Sequence, residues 1–526
     1  MHHHIKNSEV LIVGAGPSGL MMACQLARNG IPFRIIDKKN QPTSYSRALI
    51  LQARSLEIFD QMGIAGKALE QGIIARKINV SFRGKKPITL NLGNIGQSVT
   101  KFPYLLLLEQ SRTEQLLIDF IKTYGYSVER HTELIYFTQD PNRVTVTLRL
   151  PDGSEEITEA SWLIGADGSQ SLVRKQLNIP FLGKTHELEL FVLDSRADIN
   201  LPNDEICFSF TADISSGIFP LSNGRKRLDG TIPKDLKARK SITFADIYNN
   251  YAKHASLDIK LHEPEWFSVF HSHQRYAEQF RKDRCFLIGD AAHVLSPVGA
   301  QGMNTGLQDA YNLAWKLSFV IRNKAEDSLL DSYQTERLRL AKHLIKSTDH
   351  AFHLVSGENW PARIFRLYTA PVLFRLLFPI IERYGLISRY LFKGISQTGL
   401  NYRNFFSSKF SFFSIPQPGD RLPYAIFNNG EVQINIQVKI RGTDFYLLIF
   451  AKQGLLDEFK LIAEKYKAIL SVEVIPFNPG TEKLYKKMGI KKEGYYLVRP
   501  DMHIACCSNK LQTAHLERFL QQYLRT

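Results

Sequence analysis

Cysteine is scarce: there are five in 526 residues, none forms a CxxC, and none is spaced with histidine as a zinc site requires. Cys506 and Cys507 are adjacent, which is poor geometry for an ordinary disulfide. The thiols therefore read as unpaired in a reducing, cytoplasmic compartment, and no metal site is expected. Long apolar runs are also missing. A bilayer-spanning helix needs about 18–20 of them in a row, and the nearest stretch, residues 370–381, is interrupted by Arg375. No transmembrane segment is expected on that criterion. His2 to His4 are left out of metal reasoning, because such a run is a common cloning remnant. Acids are outnumbered 51 to 67, giving a net charge of +16. That balance favours anionic partners (phosphorylated cofactors, membrane surfaces, nucleic acid) without choosing among them. With 44% apolar and 22% charged residues the chain is neither disordered nor fibrous, and its length suits about three domains.

What is present begins with a βαβ pattern. Residues 9–13 read as an apolar strand, residues 18–29 as a helix stopped by Gly30, and residues 33–36 as a second strand ending in Asp37. Between the first two lies GxGxxG at Gly14, Gly16 and Gly19. The first two glycines let the backbone turn and approach a pyrophosphate, and the third permits close helix–strand packing. Phosphates then sit on amides at the positive helix end. Asp37, 18 residues past Gly19, is placed to accept bonds from ribose hydroxyls. Lys6 and the run to Cys24 superficially look like a lipoprotein signal, but glycines and a proline at dinucleotide-loop spacing explain the run better.

Further along, residues 183–272 alternate in period two with many β-branched and aromatic positions, predicting a mostly antiparallel sheet. Residues 285–288 read as a buried strand, and residues 303–321 as a long amphipathic helix. Residues 360–412 are rich in Phe, Tyr, Leu and Arg with Glu382 as the single acid; two packed, basic-faced helices and a long connection are expected, with a membrane-surface helix as the sharper alternative. From residue 416 onward a small α/β domain follows.

Two segments separate FAD from NAD. Leu163-Ile164-Gly165-Ala166-Asp167-Gly168 through Arg174 resembles the "DG" motif of flavoprotein aromatic hydroxylases. Residues 285–293, containing Gly289-Asp290-Ala291-Ala292-His293, resemble their "GD" motif, continuing through Pro297, Gly299, Gln301-Gly302-Met303-Asn304, Gly306, Asp309 and Asn312. The whole chain resembles the single-component, phenol-type FAD-dependent monooxygenases, densely over the first 350 residues and more loosely beyond, through Pro418-Gly419-Asp420 and Arg499-Pro500-Asp501. That resemblance implies an α/β fold. An FAD-binding Rossmann-like domain (5–182 and 276–355) would carry an inserted β-sheet substrate domain (183–275). A helical segment and linker (356–415) would lead to a redox-inactive, thioredoxin-like domain (416–526). The last would be structural, a candidate homodimer contact, because Ala451-Lys452-Gln453-Gly454 stands where redox-active relatives carry CxxC.

The resemblance also implies roles. Asp290 would bind the ribitol chain of FAD and Asp167 would lie near the adenosine ribose and pyrophosphate. Arg47 and Gln110 match positions that touch FAD. Gly299, Gly302, Met303 and Asn304 would lead the long helix to the flavin edge that becomes anionic on reduction. Phe208, Phe210, Phe219 and Pro297 are candidate substrate-lining residues, with a plain core role equally open for the phenylalanines. Arg174 either contacts cofactor phosphate or pairs with an acid, and His293 reads as a structural histidine. No catalytic acid or base is identifiable. Two positions depart from the family pattern: Ala300 and Asp283 each replace a glycine.

FAD is expected to be noncovalent, since no Cys or His lies in a linkage motif. NAD(P)H would bind transiently, there being no second GxGxxG. The implied activity is hydroxylation of an aromatic, phenolic or polyketide-like small molecule with O2 through a flavin C4a-hydroperoxide. The tryptophan pair of flavin halogenases is absent around Trp162, Trp266, Trp315 and Trp360. The rival reading is a non-catalytic FAD-binding protein, or a basic protein working at membranes or nucleic acid; no nucleic-acid partner is expected.

Overall fold

The computed structural model describes residues 8–42, 48–93, 95–237, 239, 241–403, 415–429, 432–452 and 457–525. The N-terminal pattern folds as β1 (Ser8–Val13), α1 (Pro17–Arg28) and β2 (Phe33–Asp37). Val10, Leu11, Ile12, Ile35 and Ile36 are fully buried, as suits parallel strands covered on both faces. β1 runs parallel to β2 on one side and to the strand Glu155–Gly165 on the other. The short strand Cys285–Leu287 pairs in parallel with the latter. Gly14, Asp167 and Asp290, remote in sequence, therefore all follow the carboxyl ends of neighbouring parallel strands. That is where ligands bind in open α/β sheets.

A second sheet of eight strands stands beside this domain. Its spine is the antiparallel pair Phe181–Ile199 and Ile259–Ala277, continued by Arg225–Thr231, Ser215–Pro220 and Glu205–Phe210. It then extends outside the run 183–275 expected from sequence. Glu205–Phe210 pairs in parallel with Lys77–Phe82, and Ile88–Asn91 forms the edge. Period-two alternation predicts strands but not a long-range parallel partner, so this extension was not legible. Strand alternation splits the two faces. Ile206, Phe210, Phe219 and Leu221 join the core of the FAD domain, whereas Cys207, Ile218 and Leu228 pack under Ile247 and Tyr251 on the opposite side.

Residues 360–395 form the two helices expected. Trp360–Ile364, a π-turn at Phe365–Thr369 and Ala370–Arg383 run together as one helix of 24 residues, followed by Gly385–Ile395. By length and composition that helix is long and apolar enough to cross a membrane. A search for an uninterrupted apolar run passes over it because Arg363, Arg366 and Arg375 punctuate it. Their outward face is apolar as well as basic: Ala370, Phe378 and Ile381 point inward, while Val372, Leu376 and Ile380 face out beside Arg375 and Arg383.

The C-terminal sheet has the strand order Leu470–Pro476, Phe445–Ala451, Gly494–Val498, Ile504–Ser508, the first pair parallel and the others antiparallel. Helices Asp457–Lys465, Glu482–Met488 and Thr513–Tyr523 complete a βαβαββα order. Gln453 and Gly454 lie outside the described residues. This unit docks on the FAD domain through a shared apolar cluster, in which Trp315 and Phe319 meet Phe445, and through charge. Arg499 pairs with Glu336 and Asp501, Lys316 with Glu336 at 2.8 Å, and Asn312 donates to both Glu336 and Asp501.

Candidate active site

The turn after β1 is sterically committed. Gly14 sits at φ +102°, and a Cβ there would lie 2.4 Å from the Ala166 carbonyl oxygen. A Cβ on Gly19 would lie 1.9 Å from the oxygen of Gly14. Gly16, by contrast, faces open space, and α1 begins there with Pro17 and no side-chain cap. Its first amides are thus left to an anion, as at a phosphate-binding helix end. Asp37 accepts from Ala15 N at 2.8 Å and from Lys39 N at 2.9 Å, which holds its carboxylate against the same loop.

The DG segment lies beside it. Asp167 Oδ2 accepts from Leu172 N at 2.7 Å and Val173 N at 3.2 Å. Its Oδ1 is buried with no hydrogen-bond partner, and burial pushes its pKa up. Arg174 stands within electrostatic reach of the Asp167 carboxylate. It donates to the carbonyls of Ala291 at 2.9 Å and Ser169 at 2.8 Å and lies over Phe181, so it fastens the DG segment to the GD segment. Asp290 is exposed, within a single 3-10 turn, Gly289–Ala291. Behind that turn, Asp309 accepts from Gly289 N at 3.0 Å, His293 Nε2 at 2.6 Å and Arg337 Nε at 2.7 Å. Burial opposes charge on Asp309, yet His293 and Arg337 hold it below the usual carboxylate range. His293 is thus a structural group in this arrangement.

The helix Gly302–Ile321 starts without a side-chain cap, and Gly302 faces open space. Asn304 secures its first turn: Oδ1 accepts from Gln52 N at 2.9 Å and Ser55 Oγ at 2.7 Å, and Nδ2 donates to Ile50 O at 2.8 Å. Met303 is half-buried beside it, and Gly299 and Pro297 are exposed in the preceding loop. Gln110 exchanges bonds with Ala48, donating N–H to its carbonyl at 3.0 Å and accepting from its N–H at 3.2 Å. It thereby anchors the segment that follows Arg47, which itself lies outside the described residues. The chemistry of this set fits a dinucleotide: two uncapped helix ends at open glycines, with three carboxylates around the same strand ends.

Facing it, Phe208 and Phe219 meet edge to face at 5.7 Å, and Phe210 stacks on Phe82 at 5.5 Å. Register places Phe208, Gly217 and Asp229 across from one another, hence on one face. A Cβ on Gly217 would touch both Asp229 Oδ1 and the Phe219 ring at 2.7 Å. Burial pushes the Asp229 carboxyl up to about 6, against the pull of Arg227. Arg227 is itself clamped by Asp194 at 2.8 and 2.7 Å and leaves Nη1 buried without a partner. Sequence reading missed Asp229 and Arg227, because an acid in an alternating strand looks like its solvated side. Far from the cradle, His186 and His353 each approach Asp349 at 3.4 Å. Lys184 already neutralises that carboxylate at 3.0 Å, so the group is an ion-pair cluster.

Comparison with known proteins decides the family. One described as "FAD binding domain" matches residues 7–348. A 6-methylpretetramide 4-monooxygenase from Streptomyces rimosus is 31% identical over 98% of this chain and 93% of its own length. The pentachlorophenol 4-monooxygenase of Sphingobium chlorophenolicum is 34% identical over 67% of this chain and 66% of its own. The chain belongs to the FAD-dependent aromatic hydroxylase family. Among solved structures, the anhydrotetracycline hydroxylase from Streptomyces rimosus superposes with a TM-score of 0.77 at 26% identity, covering 98% of this chain and 99% of that one. The chain is accordingly an FAD-dependent aromatic monooxygenase.

The two departures from the family pattern have a backbone cause. Ala300 and Asp283 both lie in the left-handed region, at φ 52° and 53°. Glycine occupies such positions without strain, whereas alanine there costs about 1 kcal/mol. Gln397 was also missed: it reaches from the end of the Gly385–Ile395 helix to Gln301 and to Thr305 Oγ1, tying that helix to the Gln-Gly-Met-Asn loop.

Proposed function

We propose that this enzyme uses NAD(P)H and O2 to hydroxylate a phenolic or polyketide-like aromatic compound held between the cradle and the phenylalanine face of the second sheet. The observation that carries the reading is Asp229, an ionisable carboxyl among Phe208 and Phe219 with its pKa raised to about 6. Bound FAD supplies reductive activation of O2 with electrons taken from the nicotinamide. The chain's own residues do the rest. Gly14, Gly16, Gly19 and Asp37 hold the adenosine half, Asp167 lies by the ribose and pyrophosphate, and Asp290 takes the ribityl hydroxyls. Gln110 orders the strip beside Arg47, and Gly299, Gly302, Met303 and Asn304 bring a helix N-terminus to the flavin ring. Phe208, Phe210 and Phe219 stack the substrate ring and exclude water.

At neutral pH Asp229 is the base that takes the phenolic proton, which raises electron density at the ring carbon to be hydroxylated. Arg227 Nη1 offers a buried donor to a substrate oxygen. Relatives named for pentachlorophenol and for tetracycline precursors support both substrate classes. The test is a panel of phenols and polycyclic aromatics scored for stimulated NAD(P)H oxidation, with labelled O2 followed into product. Stimulation with label in one product establishes the reading. FAD-loaded protein that oxidises NAD(P)H equally with and without every compound, and labels none, refutes it.

A further inference from the structure

Fourteen of the 27 large apolar side chains exposed among the described residues fall within residues 360–395. Trp360 is 74% exposed, Leu376 63%, Val372 59% and Leu386 55%. So dense an apolar patch marks an interaction surface rather than ordinary solvent-facing helix. Its charges are almost all of one sign. Arg375, Arg383, Arg389 and Lys393 are exposed, and the one acid, Glu382, is turned to the sheet edge, where Asn91 donates to it at 2.8 and 2.9 Å. The positive field continues onto the C-terminal domain. There Lys487 is pushed down to about 8, by burial first and then by Arg421, Arg389 and Lys393.

We propose that the outer face of the helices spanning 360–395 docks in the plane of an anionic lipid surface. Val372, Leu376, Leu386 and their neighbours would enter the acyl boundary. Trp360, Tyr384 and Tyr390 would sit at headgroup level, with the arginines on lipid phosphates. The inner side of the helices argues against spanning. Phe374 packs on Phe82 at 5.7 Å, and buried Arg366 donates to Val355 and Gly357 at 3.0 Å, contacts that extraction into a bilayer would break. Charge argues against a second copy, since a two-fold contact would oppose the same cations to one another.

The test is flotation of the FAD-loaded, full-length enzyme with phosphatidylcholine vesicles, with and without phosphatidylglycerol. Binding is expected to rise about tenfold or more with the anionic lipid and to weaken as salt is raised. The double variant Val372→Asp/Leu376→Asp should lose flotation while keeping FAD content and melting temperature. Four results overturn the proposal. One is no gain from phosphatidylglycerol, and another is flotation of the variant equal to the parent. The third is a parent that sediments as a dimer which the variant dissociates, without vesicle binding, marking the face as a homodimer contact. Membrane protein that resists alkaline carbonate would mark a spanning helix and overturn docking in the plane.

Discussion

Asp229, like Asp167, has its charge opposed mainly by burial, and one guanidinium stands two residues away. A base must be ionised, so turnover of a phenolic substrate should fall as the pH drops through about 6. Asp229→Asn should lower kcat/KM by about a hundredfold to ten-thousandfold and remove that limb, with FAD content unchanged. An unchanged pH profile in the variant would exclude Asp229 as the base. Ala300 gives an opposite kind of expectation. Relieving its left-handed strain, Ala300→Gly should raise stability by about 1 kcal/mol, read as a higher melting temperature of the FAD-loaded enzyme. At this scale the glycines of the first loop and Asp37 were legible because their spacing is local, and the GD motif only through its resemblance to a known family. Asp229, Arg227 and Gln397 were not, since each acquires its role from a strand or helix remote in sequence.

Elements meet at the cradle with almost no clearance. Ser18 Oγ on α1 lies 2.2 Å from where a Cβ on Gly289 would stand, and 2.2 Å from one on Gly306 in the helix Gly302–Ile321; that second Cβ would be 3.1 Å from Gly289 Cα. Gly306→Ala should therefore force α1, the GD turn and the long helix apart, costing about 1–3 kcal/mol and lowering FAD occupancy. Ser18→Ala combined with it should restore part of the loss, because the nearest atom is gone. A double variant no better than Gly306→Ala alone would show that the backbone of Gly289 sets the limit. The helices and most strands of these elements were readable from periodicity. The parallel pairing of Lys77–Phe82 with Glu205–Phe210 was not, and neither was the outward apolar face of residues 360–395, because periodicity marks a stripe without saying which side is covered.

The molecule is held as one body by the apolar cluster around Trp315, Phe319 and Phe445 and by the ionic set between the C-terminal domain and the two long helices of the FAD domain. Glu336, on the helix Asp331–Ser356, is opposed by burial, yet Arg499 and Lys316 draw its pKa down to about 2. Its folded pKa is below the unfolded value of 4.5, so its stabilisation is present above about 4.5 and is lost as the pH falls toward about 2. A shift of this size corresponds to at most about 3 kcal/mol. Lys316 acts in the other direction. Burial lowers it to about 8, so the buried ammonium costs stability below that pH and the cost fades as the pH rises toward 10.5. Glu336→Gln should therefore lower the melting temperature at neutral pH, by leaving Arg499 and Lys316 without a carboxylate. The difference from the parent should shrink as both are taken from pH 5 toward pH 3. Trp315, with the Arg499 guanidinium 5.3 Å from its ring, reports the docking interface by fluorescence, and flavin release reports the cradle. If the domains dock through this set, tryptophan fluorescence should change at or before flavin release in acid. A melting difference that stays constant from pH 7 to pH 3 would remove Glu336 from the account of acid stability and leave the apolar contacts of Trp315 and Phe319 with Phe445 to hold the domains together.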